Sequence, residues 1–105
     1  MNSLNSVLVE GTVSGIDANG TTTCFTVTTS RYLKDDRVTI HLPIVIGTDG
    51  QLAQVMQKRL ADGLGVRVVG HLEMIDNTMG IFAEHVEIRP GQKTKDMPEA
   101  QDDQI

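Results

Sequence analysis

Three segments of the chain carry an apolar side chain or a glycine at every second position, near Val7 to Val13, Val38 to Ile46 and Val66 to Met74, and in Thr22 to Ser30 Phe25 and Val27 alternate with threonines. Such alternation predicts β-strands with one buried face. A fifth strand, Ile81 to Ile88, is predicted after the turn segment IDNTMG as the second strand of a hairpin. One further segment carries apolar side chains at helical spacing. The helical segment, Leu52 to Leu60, follows Asp49 and precedes Gly63, which is typical of the start and the end of a helix. The predicted order is three strands, one helix and two strands.

The periodicity stops after Ile88, where the segment RPGQKTKDMPEAQDDQI is polar and rich in charge. We therefore predict a folded domain at residues 1–90 and a flexible polar and acidic tail at residues 91–105. In one domain of this size, the element order is that of a five-stranded OB-fold barrel, a mainly β fold with one helix between strands 3 and 4. The opening segment, MNSLNSVLVEG, has no basic stretch and no long apolar run. We expect no signal peptide, no membrane span and a cytoplasmic location.

Residues that could carry out catalysis do not form a recognisable motif. Gly11, Gly15 and Gly20 lack the spacing of a phosphate-binding loop. Asp35 and Asp36 could suggest a general-acid pair, but they lie in a predicted loop beside Lys34 and Arg37, where a solvated charge cluster is the favoured interpretation. We expect a protein that is not an enzyme and needs no cofactor.

The cysteine and the histidines do not indicate a metal site. The single cysteine, Cys24, excludes an internal disulfide and is interpreted as a small strand side chain. His41, His71 and His85 could meet across strands, but their spacing is not that of a metal-ligand set. We interpret them as polar strand positions or subunit contacts and expect no bound metal.

The best candidate binding residues are Arg31, Tyr32, Lys34 and Arg37, between the second and third strands. Barrels of this order bind single strands through positive charge for the phosphates and flat side chains for the bases. An ordinary solvated hairpin is the alternative. Lys58, Arg59 and Arg67 add scattered charge. The formal net charge of −5, from 14 acidic and nine basic residues, argues against an electrostatic nucleic-acid binder, because the footprint of such a protein is usually a basic patch.

Four pieces of the chain, in order, resemble the bacterial single-stranded-DNA-binding protein family. LNSVLVEGTV is similar to the family's first strand, with Asn5 and Gly11 at matching positions, and CFTVTTSRY is similar to its second. IHLPIVIG is similar to its third strand, which ends in a glycine, here Gly47. QLAQVMQKRLADGLGVRVVGHL is similar to its helix, glycine turn and fourth strand. The likeness covers residues 4 to about 90 and implies an OB-fold, single-stranded DNA as ligand, and a homo-oligomer, either a tetramer or a dimer.

The chain differs from the family at positions that belong to the family's DNA-binding surface. Ile40 stands where the family has a stacking aromatic residue, and Leu42 where an arginine is common. Periodicity sends Ile40, Leu42, Ile44 and Ile46 to the core, whereas the resemblance places Ile40, Leu42 and Ile46 on the face where the family holds nucleic acid. The apolar row could instead line a contact between subunits or with another protein. Because Pro43 cannot donate to a strand ladder, an edge or a bulge is expected there. We expect a bulge, which would reverse the alternation and leave Ile40 next to the groove.

The resemblance implies a protein that protects or organises single-stranded DNA during replication, recombination or repair. The predicted nucleic-acid-binding residues are Arg31, Tyr32, Lys34, Arg37, Ile40, Lys58 and Arg67. LPIVI and AEHVEI also resemble primosomal replication protein N, so an interaction subunit with weak nucleic-acid binding is the alternative. Replication or repair proteins are expected partners, although the tail lacks the Pro-Phe end of the family, which disfavours docking through Gln104 and Ile105.

Overall fold

The computed structural model describes residues 3–89, which form five strands and one helix. The elements are β1 (Val7–Asn19), β2 (Thr22–Leu33), β3 (Val38–Asp49), α1 (Gly50–Arg59), β4 (Gly65–Ile75) and β5 (Thr78–Ile88). The strands close into a barrel in the order β1-β2-β3-β5-β4. The predicted OB-fold, with its helix between the third and fourth strands, is confirmed. The predicted tail, with Gln104 and Ile105, lies outside the described residues. Within residues 3–89, the single helix is too short to span a membrane.

β1 closes the barrel because it pairs with two different strands along its length. Its first half, Val7 to Thr12, pairs with β4, and its second half, Thr12 to Asn19, pairs with β2. At the changeover, a Cβ on Gly11 would collide with the carbonyl oxygen of Thr28. Gly15, with φ of 60°, lies in an irregularity of the pairing between Ser14 and Asp17. The strand therefore bends where its glycines permit a close approach or a left-handed backbone.

β3 and β5 are the parallel pair of the barrel, with Ile46 opposite Ile81 and Gly47 opposite Phe82. Because these strands run in the same direction, their first residues lie at the same end of the barrel. The β2–β3 and β4–β5 hairpins therefore extend from one end. α1, which follows β3, lies at the other end, where the Gln57 amide donates a hydrogen bond to the carbonyl of Gly20 in the β1–β2 turn at 3.3 Å.

Side chains from all five strands and from α1 fill the core. Its buried apolar members are Val13, Phe25, Val27, Ile46, Ala53, Met56, Val66, Val68, Ile81 and Ala83. Two buried hydroxyls are satisfied: Thr23 donates to the Ala53 carbonyl at 3.0 Å, and Thr48 donates to the Thr23 carbonyl at 2.7 Å. Because buried polar groups without partners are costly, the first bond holds α1 against β2 and the second holds β3 against β2.

The predicted bulge near Pro43 is wrong. The register of β2 against β3 is unbroken from Thr22 opposite Asp49 to Leu33 opposite Val38, and Pro43 lies opposite Thr28 within it. β5 pairs with β3 only at Ile46 and Gly47. Pro43 therefore lies where one edge of β3 has no partner strand among residues 3–89, and an edge position tolerates a residue without an N–H. The alternation of β3 continues through Pro43 without reversal.

Candidate nucleic-acid interface

The β2–β3 arm, defined here as residues 29–42, is the part of this hairpin that extends beyond the barrel. β1 pairs with β2 no further than Thr12 opposite Thr28, so β2 beyond that point pairs with β3 alone. This two-stranded ribbon exposes both of its faces, because no third strand within residues 3–89 pairs with it. Val38, Ile40 and Leu42 are accordingly 46%, 44% and 55% exposed, although they continue a face that is buried inside the barrel.

Five of the predicted site residues belong to this arm, and Ile40 is the one that lies on β3. Arg31 and Tyr32 lie on β2, and Lys34 and Arg37 lie in the turn that joins β2 to β3. Arg37 adopts φ of 55°, a left-handed conformation that closes the turn. No ion pair within residues 3–89 engages Arg31, Lys34 or Arg37. These three cations are therefore available to an anionic ligand.

Strand alternation divides this cluster between the two faces of the arm. Arg31 lies opposite Ile40, on the face that continues the barrel core, here called the inner face. Tyr32 lies opposite Thr39 on the outer face, where Ser30 and His41 form a hydrogen bond of 2.9 Å. The inner face is thus apolar with one cation, whereas the outer face carries hydroxyls, an imidazole and the 59% exposed ring of Tyr32.

The β4–β5 hairpin presents three more exposed apolar side chains at the same end of the barrel. Leu72, Met74 and Met79 are 46%, 60% and 65% exposed. Leu72 and Met74 continue the face of β4 that carries the buried Val68, and Met79 continues the face of β5 that carries the buried Ile81. None of the three is among the site residues predicted from the sequence. The signal was the alternation of β4, which continues from Val68 to Met74.

Packing across β3 holds the β4–β5 hairpin in place. A Cβ on Gly47 would lie 3.0 Å from Cδ1 of Ile75, and a Cβ on Gly80 would lie 2.5 Å from the carbonyl oxygen of Val45. A side chain at position 80 would therefore collide with the backbone of β3, and one at position 47 would crowd Ile75, which lies over β3. The side chain of Asn5 also binds Leu72 at both backbone groups, accepting from its N–H at 2.9 Å and donating to its carbonyl at 3.1 Å. These contacts position the exposed residues of the hairpin.

The opposite face of this hairpin carries an acidic cluster around His71. Nδ1 of His71 lies 2.9 Å from Glu84, and Nε2 lies 2.7 Å from Glu73. Hydrogen bonds to Glu84 and then to Glu73 raise the pKa of His71, because both carboxylates favour the protonated ring. The ring also lies 5.8 Å from that of Phe82. A protonated His71 reduces the negative charge that this cluster would present to a polyanion.

Two predicted site residues are not brought to the arm. Arg67 forms an ion pair with Glu10 at 2.6 Å and lies 3.5 Å from Glu87. The hydrogen bond from Arg67 holds the pKa of Glu10 below its usual range. Lys58, with Arg59, lies in the last turn of α1, at the opposite end of the barrel. Arg67 is thus largely neutralised by its neighbours, and Lys58 is separated from the arm turn by the length of β3.

A cleft of about 650 Å³ lies where β1 turns away from β2. Its lining includes Thr28 and Ser30 from β2, and Glu10, Arg67 and Arg89 on the other side. Arg89 lies 3.1 Å from Glu10, which already binds Arg67. One carboxylate therefore engages both guanidinium groups of the cleft.

The titratable residues of the described chain do not converge on a reactive centre. Within residues 3–89, no group of three or more His, Cys, Asp and Glu side chains is placed to hold a metal ion. Cys24 is partly buried, and burial, followed by the charges of Asp76 and Asp17, raises the pKa of its thiol. A raised pKa is the opposite of what a nucleophilic cysteine requires.

Comparison with solved structures agrees with this architecture. No protein-family model and no curated protein sequence matches the chain. A small single-stranded DNA-binding protein from Mycoplasma pneumoniae superimposes with a TM-score of 0.67 and 20% identity over 81% of this chain and 93% of that one. A small single-stranded DNA-binding protein from Streptomyces coelicolor superimposes with a TM-score of 0.68 and 19% identity, over 85% of this chain and 94% of that one. PriB from Ralstonia solanacearum superimposes with a TM-score of 0.63 and 16% identity, over 83% of this chain and 100% of that one. The predicted resemblance, including that to primosomal replication protein N, is confirmed at the level of the fold.

Proposed function

We propose that this protein binds single-stranded DNA without catalysis and protects or organises it during replication, recombination or repair. The observation that carries the proposal is the β2–β3 arm. It projects from an OB-fold barrel and bears Arg31, Lys34 and Arg37, none of them in an ion pair within the described chain, beside exposed apolar side chains. Cations that bind phosphates, next to surfaces that bind bases, are the requirements of single-strand binding.

The net negative charge does not oppose this proposal, because charges act locally. In physiological salt the field of an exposed charge is screened within about 8 Å. Many of the acidic side chains are distant in the fold or already paired, as Glu10 is with Arg67 and Arg89. The turn of the arm itself holds two carboxylates, Asp35 and Asp36, against three cations on the arm. The arm therefore carries a small net positive charge, which weakly favours binding of a phosphate backbone.

A homo-oligomer, either a dimer or a tetramer, is part of the proposal. From Val7 to Gly11, β1 pairs with β4 on one edge, and no strand within residues 3–89 pairs with its other edge. An unpaired strand edge is a ready template for another chain. Leu8, 63% exposed on this strand, would be covered in such a contact. Light scattering would measure the mass and separate a dimer from a tetramer. The predicted cytoplasmic location remains a prediction.

A second candidate function is an interaction subunit of the kind that PriB-like barrels suggest, with only weak binding of nucleic acid and with replication or repair proteins as partners. The observation in its favour concerns the exposed large hydrophobic side chains of the arm. Only one of them, Tyr32, is aromatic, whereas Val38, Ile40 and Leu42 are aliphatic. Aliphatic surfaces suit protein contacts at least as well as base contacts.

A salt titration separates the two candidates. Fluorescence anisotropy of a labelled oligo(dT) of about 35 nucleotides should show binding at low salt. The logarithm of the association constant should fall with the logarithm of salt at a slope of about −2, as expected for three phosphate contacts on a single strand. A duplex of equal length is the control ligand, because its paired bases cannot pack on the arm. If micromolar protein leaves the single strand free at low salt, the DNA-binding proposal is rejected and the interaction subunit is retained.

A further inference from the structure

The sulfur-containing side chains of the described chain differ widely in exposure. Within residues 3–89 they are Cys24, Met56, Met74 and Met79. Met56 is 2% exposed in the core, whereas Met74 and Met79 are 60% and 65% exposed near the turn of the β4–β5 hairpin. The two exposed thioethers are therefore open to any small oxidant in the solvent.

Met74 and Met79 are also a cross-strand pair. They lie directly opposite each other in the β4–β5 register, next to the terminal pair of Ile75 and Thr78. Directly opposite side chains share one face of a hairpin and are near neighbours. Two flexible, polarizable thioethers are thus concentrated in one small area of the surface.

The other hairpin at this end of the barrel offers no such chemistry on its exposed aliphatic side chains. Those of the β2–β3 arm are Val38, Ile40 and Leu42. They contain only carbon and hydrogen, which hydroperoxides do not attack under mild conditions. An oxidant of this class would therefore change the polarity of the β4–β5 hairpin and leave the aliphatic surface of the arm as it is.

Cys24 competes poorly for the same oxidant. It is partly buried, and burial, followed by the negative charges of Asp76 and Asp17, raises the pKa of its thiol. Oxidation of a cysteine proceeds through the thiolate, whereas a thioether reacts without losing a proton. Among the described residues, the accessible and reactive sulfur atoms are therefore those of Met74 and Met79.

We propose that Met74 and Met79 form a reversible oxidation site, at which a hydroperoxide converts an exposed apolar pair into two polar sulfoxides. In each step a sulfur lone pair attacks the outer oxygen of the hydroperoxide. An S–O bond forms as the O–O bond breaks, and water or an alcohol leaves. Reductases that draw electrons from thiols return methionine sulfoxide to methionine.

The consequence is a surface whose polarity follows the redox conditions. The end of the β4–β5 hairpin is apolar when both side chains are reduced and polar when both are oxidised. Because both residues are exposed, the added oxygen atoms point to solvent and do not enter the core. The inference does not depend on DNA binding, since the modified atoms and their polarity are measured directly.

Peptide mapping by mass spectrometry tests the site. The full chain is treated with hydrogen peroxide for increasing times, and the oxygen gained at each methionine is followed. Met74 and Met79 should be oxidised at least about tenfold faster than Met56, because Met56 reacts only when the barrel opens, and the unfolded fraction of a folded protein is about 10⁻³ or less. The two stereospecific methionine sulfoxide reductases, with dithiothreitol as electron donor, should then restore both residues.

Hydrophobic-interaction chromatography measures the change of surface. Retention of the wild-type chain should fall after peroxide treatment and recover after reduction. The double variant Met74→Leu and Met79→Leu keeps apolar volume but lacks the two sulfur atoms, so it should lose most of this response. Met56→Leu is the matched control and should respond to peroxide as the wild type does. Circular dichroism spectra would verify that each variant is folded.

Three results would overturn the proposal. The first is oxidation of Met56 at the same rate as the exposed pair, which would show that exposure does not select the site. The second is a chromatographic response that persists in full in the double leucine variant. The third is loss of the folded circular dichroism spectrum in step with oxidation of Met74 and Met79, which would show that the pair supports the fold. Recovery of both residues and of retention after reduction supports the proposal, and a failure of the reductases contradicts it.

Discussion

Arg31 on β2 and Ile40 on β3 lie directly opposite each other in the hairpin register, on the face of the arm that continues the barrel core. An arginine stem and an aliphatic side chain thus share one exposed surface, and Tyr32, next in the chain, lies on the other. Directly opposite side chains in a strand pair are near neighbours. A ligand on the inner face of the arm meets charge and apolar surface together.

Neutralising the cations of the arm should reduce the salt dependence of DNA binding. In a triple variant, Arg31→Ala, Lys34→Ala and Arg37→Ala, the slope of the binding constant against salt should lose about two units, because three phosphate contacts are removed. Anisotropy titrations at several salt concentrations measure this slope. The double variant Lys58→Ala and Arg59→Ala removes charge at the other end of the barrel and should keep the wild-type slope. An equal loss in both variants would show that binding depends on net charge and not on the arm.

Replacing Ile40 by phenylalanine should strengthen binding. A ring on the inner face beside Arg31 offers a base a stacking surface, and such contacts are worth about 1 to 3 kcal/mol per base. We expect oligo(dT) affinity to rise at least severalfold in anisotropy measurements. Val55→Phe adds the same ring to α1 and should not change affinity. A gain of binding is informative because a damaged fold cannot produce it, and the absence of any gain would argue that bases do not reach Ile40.

Removing the ring of Tyr32 tests the outer face of the arm. Tyr32→Ala should weaken oligo(dT) binding at every salt concentration, by at least about 1 kcal/mol if a base stacks on the ring. Tyr32→Phe keeps the ring and should bind as the wild type does. Unchanged affinity in the alanine variant would confine the nucleic acid to the inner face.

Gly11→Ala should destabilise the barrel strongly. The new Cβ would collide with the Thr28 carbonyl oxygen at the point where β1 changes partners, and the backbone there cannot move without breaking strand pairing. We expect a loss of about 3 kcal/mol in the free energy of unfolding, measured by urea denaturation at fixed protein concentration.

Gly20→Ala is the comparison for this variant. A Cβ on Gly20 would meet no atom within 4 Å, so its cost is that of a left-handed backbone at φ of 63°, about 1 kcal/mol. If the two variants unfold at the same urea concentration, the close approach at Gly11 does not constrain the fold.

The stability contributed by His71 should depend on pH. Its pKa is raised in the folded protein by Glu84 and Glu73, so folding favours the protonated ring. The contribution is fully present below the unfolded pKa of about 6.5 and is lost as pH rises through the higher folded value. His71→Gln should therefore lower the urea midpoint relative to wild type more at about pH 6 than at about pH 8. An NMR titration of the His71 ring would measure the pKa directly, and a value at or below that of a free histidine would contradict the prediction.

Local patterns predicted the existence and type of every element but not their ends. Phe25 and Val27 alternate with threonines, and this pattern is enough to indicate a half-buried strand. The sequence pattern places Arg31 and Tyr32 between the second and third strands, yet both extend β2, because Ile40 and Thr39 pair with them across the hairpin. Hydrogen bonds to a distant segment stabilised an extended backbone that the side chains alone did not indicate.

The candidate site was predicted from residues that are neighbours in the chain, but in the structure these residues are divided between the two faces of the arm. Arg31, Tyr32, Lys34 and Arg37 do belong to one arm, but an unbroken register sends Arg31 and Tyr32 to opposite faces. The missing N–H of Pro43 is compatible with an edge as well as with a bulge, and only the pairing of β3 separates the two. Whether any of these residues binds DNA stays a prediction.

Side-chain period and turn residues act over a few positions, and they were enough to predict the order of elements and the class of barrel. The faces of individual strands also depend on pairing, because β3 runs through Pro43 without the expected bulge and the register of β4 against β5 shifts between Val69 and Gly70. The packing of the whole chain is what separates apolar residues of the core from those of the surface. Ile46 and Ile40 are equivalent in the pattern of β3, but the barrel covers the first and ends before the second. Burial depends on what a segment packs against, and that partner comes from elsewhere in the chain.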